Sequence, residues 1–203
     1  MSYQNIFWLE DTPDILGEIL RICSGQGIDK DSLFSKTTFA SDYEVGAQIA
    51  PNEEFDLYIL DADFPQSTSE EWKKNYRDFL QQVSLETRYL DFKKKYGEGY
   101  IGKRGKSTNN FSLFFSEFLP EKSGKIVIYS VSTIAPTIAF HHGLPFYSKA
   151  LNKDTIKEIV GSEMNNQRFF KRYFPSDFSP KKADFLDQWE CGSRFELVER
   201  YLI

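Results

Sequence analysis

Four apolar runs in this chain end in residues that could do chemistry together. FDLYIL ends in Asp61, with a second acid at Asp63 and a proline at Pro65. NIFWL precedes Glu10 and Asp11, KIVIY precedes Ser130, and LPFYS precedes Lys149. Short apolar runs without breakers read as strands buried on both faces, and ligands of open α/β sheets bind beyond the carboxyl ends of the strands. Gathered there, three carboxylates, a hydroxyl and an amine suit the acceptance of a phosphoryl group by a carboxylate. The incoming group is negative, so a hard divalent cation such as Mg²⁺ must bridge it to the site. Glu10, Asp11 and Asp61 would be side-chain ligands, with the backbone carbonyl of Asp63 as a further one. Asp63 otherwise reads as a turn residue. Lys149 would balance charge in a transfer that is mostly positioning and electrostatics. Ser130 would hydrogen-bond the transferred group and draw its loop inward.

These residues need strands to hold them, and the chain supplies a β-α-β-α-β rhythm. Residues 4–9 read as the first strand. Thr12 caps a helix with Pro13 at its first position, and Ile15, Leu16, Ile19, Leu20 and Ile22 give it an apolar face. Residues 32–39 read as a weak strand, and Ser41 as the cap of a helix over 42–49. The acid-ended strand at 57–60 comes next. Such alternation implies a parallel sheet with right-handed crossovers.

After Pro65 the rhythm breaks. A long helical pattern covers about 69–96, with Trp72, Tyr76 and Phe79 on one stripe. It leads into GEGYIGKRGKSTNN, carrying Lys103, Arg104 and Lys106, and then a helix over 110–119. GKRGKST lacks the glycine spacing of a phosphate-binding loop, since Tyr100 stands where that glycine belongs. Crossovers take far less chain, so 66–108 reads as a helical insertion. Alternation resumes with a strand at 125–129, a helix at 133–141 closed by His141 and His142, a strand at 144–148 and a helix at 152–160. Residues 163–203 read as a C-terminal extension packed on a domain of residues 1–162.

Composition narrows the function classes. A net charge of −5 argues against nucleic-acid binding by the whole chain. No apolar run approaches bilayer length and the amino terminus lacks a signal-peptide pattern, so a cytoplasmic protein without membrane contact is expected. Cys23 and Cys191 lack metal-ligand or CxxC spacing and read as free thiols.

The sequence resembles the receiver domain of bacterial two-component response regulators. FWLEDTPDIL looks like that family's opening strand with its acidic pair and helix-starting proline, and LDADFP like its acceptor strand. IVIYSVS is similar to the strand bearing the switch hydroxyl, and PFYSK to the strand bearing the lysine. The resemblance covers about 1–65 and 109–161. It implies a doubly wound five-stranded parallel sheet, flavodoxin-like and CheY-like, with Asp61 as phospho-acceptor in a phosphorelay. Glu10 and Asp11 would be Mg²⁺-site acids, Ser130 the switch hydroxyl, Lys149 the charge-balancing lysine, and Phe146 the aromatic that tracks the switch. Two departures stand out: Ala150 replaces the family's proline, often in a cis peptide, and Val131 replaces its alanine. The implied partners are a histidine kinase or phosphotransfer protein, a downstream protein and a second copy of the chain. No DNA-binding unit is recognisable after the receiver-like part. The expected activity is self-phosphorylation that switches protein contacts rather than turnover. Two alternatives stay open. A haloacid-dehalogenase-like phosphatase would use Asp61 and Asp63, and a degenerate receiver would act as a constitutive docking module.

Overall fold

The computed structural model describes residues 3–12, 14–71, 73–74, 78, 108–120, 122–164 and 183–203. Their centre is a parallel sheet of β1 (Ile6–Leu9), β2 (Thr37–Ala40), β3 (Leu57–Leu60), β4 (Lys125–Ser130), β5 (Phe146–Ser148) and β6 (Cys191–Ser193). The strand order is β2-β1-β3-β4-β5-β6. Two-sided burial explains the unbroken apolar runs. Phe7, Leu9, Tyr58, Leu60 and Ile128 face one core, while Ile6, Trp8, Leu57, Ile59, Val127 and Tyr129 face the other.

Helices cover both faces. On the first lie α3 (Tyr43–Ile49), α4 (Thr108–Phe118), α5 (Ala135–His141) and α6 (Lys153–Met164), through Phe111, Phe114, Ala139, Ile156 and Val160. On the second lie α1 (Asp14–Gly25) and α2 (Lys30–Ser35), through Leu16, Ile19, Leu20 and Leu33. After the short α7 (Ala183–Gln188) and β6 comes α8 (Arg194–Leu197), which continues as a π-helical stretch over Val198–Leu202. Leu197, Val198, Tyr201 and Leu202 complete the second core.

Several expectations change. The sheet has six strands rather than five, because the C-terminal extension adds β6 beside β5 in the register Phe146↔Cys191, Tyr147↔Gly192 and Ser148↔Ser193. Cys-Gly-Ser carries no strand periodicity, and its place in the sheet comes from the neighbour. Residues 32–39 are not one strand. Asp29 accepts the Ser32 N–H at 2.8 Å and caps α2, and the strand is Thr37–Ala40. Asp42 rather than Ser41 caps α3, accepting the Val45 N–H at 2.9 Å. Most of the pattern expected over 69–96, including Trp72, Tyr76 and Phe79, lies outside the described residues, as do Lys103, Arg104 and Lys106.

The start of the insertion sits against the N-terminus of α3, and the chain just after it against the loop that follows β3. Asp42 accepts from the Thr68 backbone at 3.2 Å and from the Thr68 hydroxyl, and Tyr43 N–H donates to the Pro65 carbonyl at 3.1 Å. Asn110 Nδ2, on α4, donates to the Phe64 carbonyl at 2.8 Å.

Because the second core closes only with the extension, Leu197→Ala should cost about 2–5 kcal/mol of folding stability. Urea unfolding measures this. An unchanged midpoint would mean that the extension is not integral to the fold.

Candidate functional site

The strand order reverses direction between β1 and β3, and at such a switch point the connections diverge to opposite faces and leave a crevice. The backbone ladder runs one residue past each strand there. Asp61 N–H donates to the Leu9 carbonyl at 2.9 Å, Glu10 N–H to the Ala40 carbonyl at 2.9 Å, and Lys149 N–H to the Ser130 carbonyl at 3.1 Å. Glu10 and Asp61 therefore leave β1 and β3 side by side, while β4 runs on two residues past Ile128, the partner of Leu60, so that Ser130 and Lys149 emerge slightly further along the same edge.

They converge. Lys149 Nζ lies 2.5 Å from Asp61 Oδ2 and 2.6 Å from Glu10 Oε2. Ser130 Oγ donates to Asp61 Oδ1 at 2.6 Å, and the Asp63 N–H donates to the same oxygen at 3.2 Å. Thr12 N–H donates to Glu10 Oε1 at 3.1 Å, while its hydroxyl donates to Asp11 Oδ1 at 3.2 Å. All five principal residues are buried, with Glu10 and Ser130 at 0% exposure and Lys149 at 4%.

Three buried carboxylates facing one ammonium leave an electrostatic deficit. Desolvation, eased by Lys149 and reinforced by Asp61 and Asp11, pushes the Glu10 carboxyl up to about 8. Burial disfavours charge on Lys149, but Asp61 and Glu10 outweigh it and hold the amine above the ordinary lysine value. The residues fit a hard divalent cation. One carboxylate oxygen from each of Glu10, Asp11 and Asp61 lies within 4.8 Å of the others. Glu10 Oε2 is buried and meets only Lys149 Nζ, at 2.6 Å, among the contacts of the described residues. Oxygen-only donors of this charge favour Mg²⁺ over softer metals.

The residues Glu10, Asp11, Asp61, Ser130 and Lys149 expected from the sequence meet at one site, and Asp63 touches it through its backbone N–H, whereas the expectation concerned its carbonyl. Phe146 does not enter the site. It is fully buried on the first core and stacks on Trp189 with ring centroids 6.3 Å apart. Val131, beside Ser130, is 57% exposed. His142 closes α5 and lies against Phe115, 4.8 Å between ring centroids. Both thiols are free and buried, and burial pushes Cys23 up to about 11.

Two features escaped the sequence. Among the described residues no peptide bond is cis, and the loop at Ala150 is held instead by Ser148, whose Oγ accepts the N–H groups of Ala150 at 3.1 Å and Leu151 at 2.8 Å. A serine followed two and three residues later by free N–H groups is the signal that could have found it. Arg194, at the start of α8, donates to the Lys149 carbonyl and pairs with Glu18 of α1. Nothing local in its sequence points there.

No family model, curated protein or solved structure matches the chain. Fold and site therefore define a class by geometry alone: a doubly wound α/β protein with an acidic, lysine-bridged crevice at the switch point. No helix among the described residues is long and apolar enough to cross a membrane.

The Glu10 shift has a definite sign. Its folded-state pKa lies above the ordinary 4.5, so its contribution to stability is full below 4.5 and lost as pH rises through about 8. Metal-free protein should lose stability across that window in urea unfolding. Glu10→Gln should flatten the slope, and saturating Mg²⁺ should restore stability increasingly with pH. A slope unchanged in Glu10→Gln would place the titration elsewhere.

Proposed function

We propose that this protein is a receiver-type phosphoacceptor module in which Asp61 takes a phosphoryl group and the state of Asp61 controls protein contacts. The observation that carries the reading is the Asp61 carboxylate itself. One oxygen is held by the Ser130 hydroxyl at 2.6 Å and the other by the Lys149 amine at 2.5 Å, beside two further acids. A carboxylate gripped at both oxygens has its lone pairs oriented before a donor arrives.

In the transfer, an Asp61 oxygen forms a bond to phosphorus as the bond from phosphorus to the donor's leaving atom breaks. The leaving group keeps that electron pair. A small acyl phosphate or a phosphohistidine of a partner kinase supplies the group. Lys149 neutralises charge on the transferring oxygens, and Ser130 is placed to exchange its bond to Asp61 for one to the new phosphoryl group. Glu10, Asp11 and Asp61, with the Asp63 carbonyl, would hold Mg²⁺, which when bound supplies charge neutralisation.

The Ser130 exchange is the source of switching. Ser132 N–H donates to Ser130 Oγ at 3.2 Å, so moving that hydroxyl pulls on the loop that carries exposed Val131 and Ile134. The proposed output is a change in binding to a downstream protein or to a second copy of the chain.

Intact-mass measurement after incubation with acetyl phosphate tests the reading. One phosphoryl gain is expected, abolished by Asp61→Asn and by chelating Mg²⁺. Lys149→Ala should lower the rate by about a hundredfold or more, the scale on which preorganised charge stabilises a transfer. Phosphate released without accumulation would favour a phosphatase using Asp61 and Asp63. No gain together with no Mg²⁺ binding would leave a docking module.

A further inference from the structure

We propose that Arg194 is a positioning residue for Lys149, so that the C-terminal helix tunes the site; the inference rests on the phosphoacceptor reading above. Lys149 delivers its amine to Asp61 at 2.5 Å and to Glu10 at 2.6 Å on a flexible four-carbon stem. The amine is placed only as well as the backbone beneath it. That backbone is gripped on both sides. Its N–H donates to the Ser130 carbonyl at 3.1 Å, and its carbonyl accepts from Arg194 Nη2.

The same guanidinium reaches Glu18 on α1 through Nη1. A planar fork with donors in fixed directions can hold a carbonyl and a carboxylate at once, which an ammonium does poorly. Arg194 therefore ties three elements together: the loop after β5, the helix α1 and the start of α8. Its own position is set by the turn beneath it. Ser193 N–H donates to Glu196 Oε2 at 2.7 Å and the Ser193 hydroxyl to the same oxygen at 3.0 Å. Gly192 leaves room for that carboxylate, since a Cβ there would sit 2.7 Å from Glu196 Oε2.

The need for the brace is visible beside it. A cavity of about 610 Å³ opens along the loop, lined among others by Arg21, Gln26, Leu151, Asn152 and Phe195. On that side the loop is not packed against a continuous core, and Ala150 supplies none of the stiffness a proline would. Ser148 fixes the turn that follows Lys149, and Arg194 fixes the carbonyl of Lys149 itself.

The primary readout is the ¹⁵N NMR signal of the Lys149 ammonium, assigned by its loss in Lys149→Ala. Paired with two buried carboxylates, its protons should exchange slowly in the wild-type protein. Arg194→Ala should speed that exchange about tenfold or more and slow phosphoryl gain from acetyl phosphate by roughly ten- to a hundredfold, the cost expected of small misplacements. Arg194→Lys should recover only part of both. In a Lys149→Ala background, Arg194→Ala should have little further effect on phosphorylation. Wild-type ammonium exchange in Arg194→Ala overturns the proposal while leaving the acceptor reading intact, and so does a rate loss undiminished in the Lys149→Ala background. If the wild-type protein gains no phosphoryl group, the acceptor reading fails and the ammonium signal alone decides the role of Arg194. If Arg194→Ala does not fold, Glu18→Gln decides: a smaller acceleration of ammonium exchange is expected, and none overturns the proposal.

Discussion

The ion pairs of Lys149 with Asp61 and Glu10 are the constraint around which the site is built. Removing these groups from water costs several kcal/mol per ion, and the mutual attraction offsets that only with close contacts. Here the contacts are 2.5 and 2.6 Å, and Ser130 and the Asp63 backbone satisfy Asp61 further. A cluster of this kind is a poor means of stabilising a fold, since a well-packed apolar equivalent does as well or better. What its contacts do fix is a single arrangement of these side chains. Three carboxylates meet one ammonium, and the raised Glu10 relieves part of that surplus by keeping its proton up to about pH 8.

The fold serves the cluster through its register. The ladders are in step, Leu9 with Leu60, Leu60 with Ile128, and Ser130 with Ser148, so β1 and β3 end together and β4 and β5 end together two residues further on. A slip of one residue in β3 would send Asp61 to the opposite face and an apolar side chain into the crevice. Two aromatic-rich cores prevent such slips. Phe7, Phe55, Tyr58 and Phe114 interlock on one face, and Trp8 lies against Tyr129 on the other. Close packing at Gly124 adds to this, because a Cβ there would lie 2.0 Å from the Phe55 carbonyl oxygen.

The C-terminal extension changes what kind of domain this is. Without it the second core would lack Leu197, Val198, Tyr201 and Leu202, and β5 would be an edge strand. Glu190 fastens the extension to the sheet, accepting from Tyr147 at 3.1 Å and from Tyr201, with Lys125 and Arg200 nearby at 3.7 and 3.3 Å. Trp189 closes the first core against Phe140 and Phe146. The extension is thus a structural layer on both faces, and it reaches the site through Arg194.

The sequence by itself determined the α/β class, four of the six strands with part of a fifth, and the residues that meet at the site. Each strand-end residue follows an apolar run whose two-sided burial is written in its own composition, so Glu10, Asp11, Asp61, Ser130 and Lys149 were legible locally. Tertiary structure alone decided β6, the stacking of Phe146 on Trp189, and the grip of Arg194 on Lys149. Cys191–Ser193 is a strand only because β5 offers unpaired backbone groups beside it, and Arg194 is separated from Lys149 by 45 positions. Contacts of that range are set by how layers pack, and no periodicity along the chain records them.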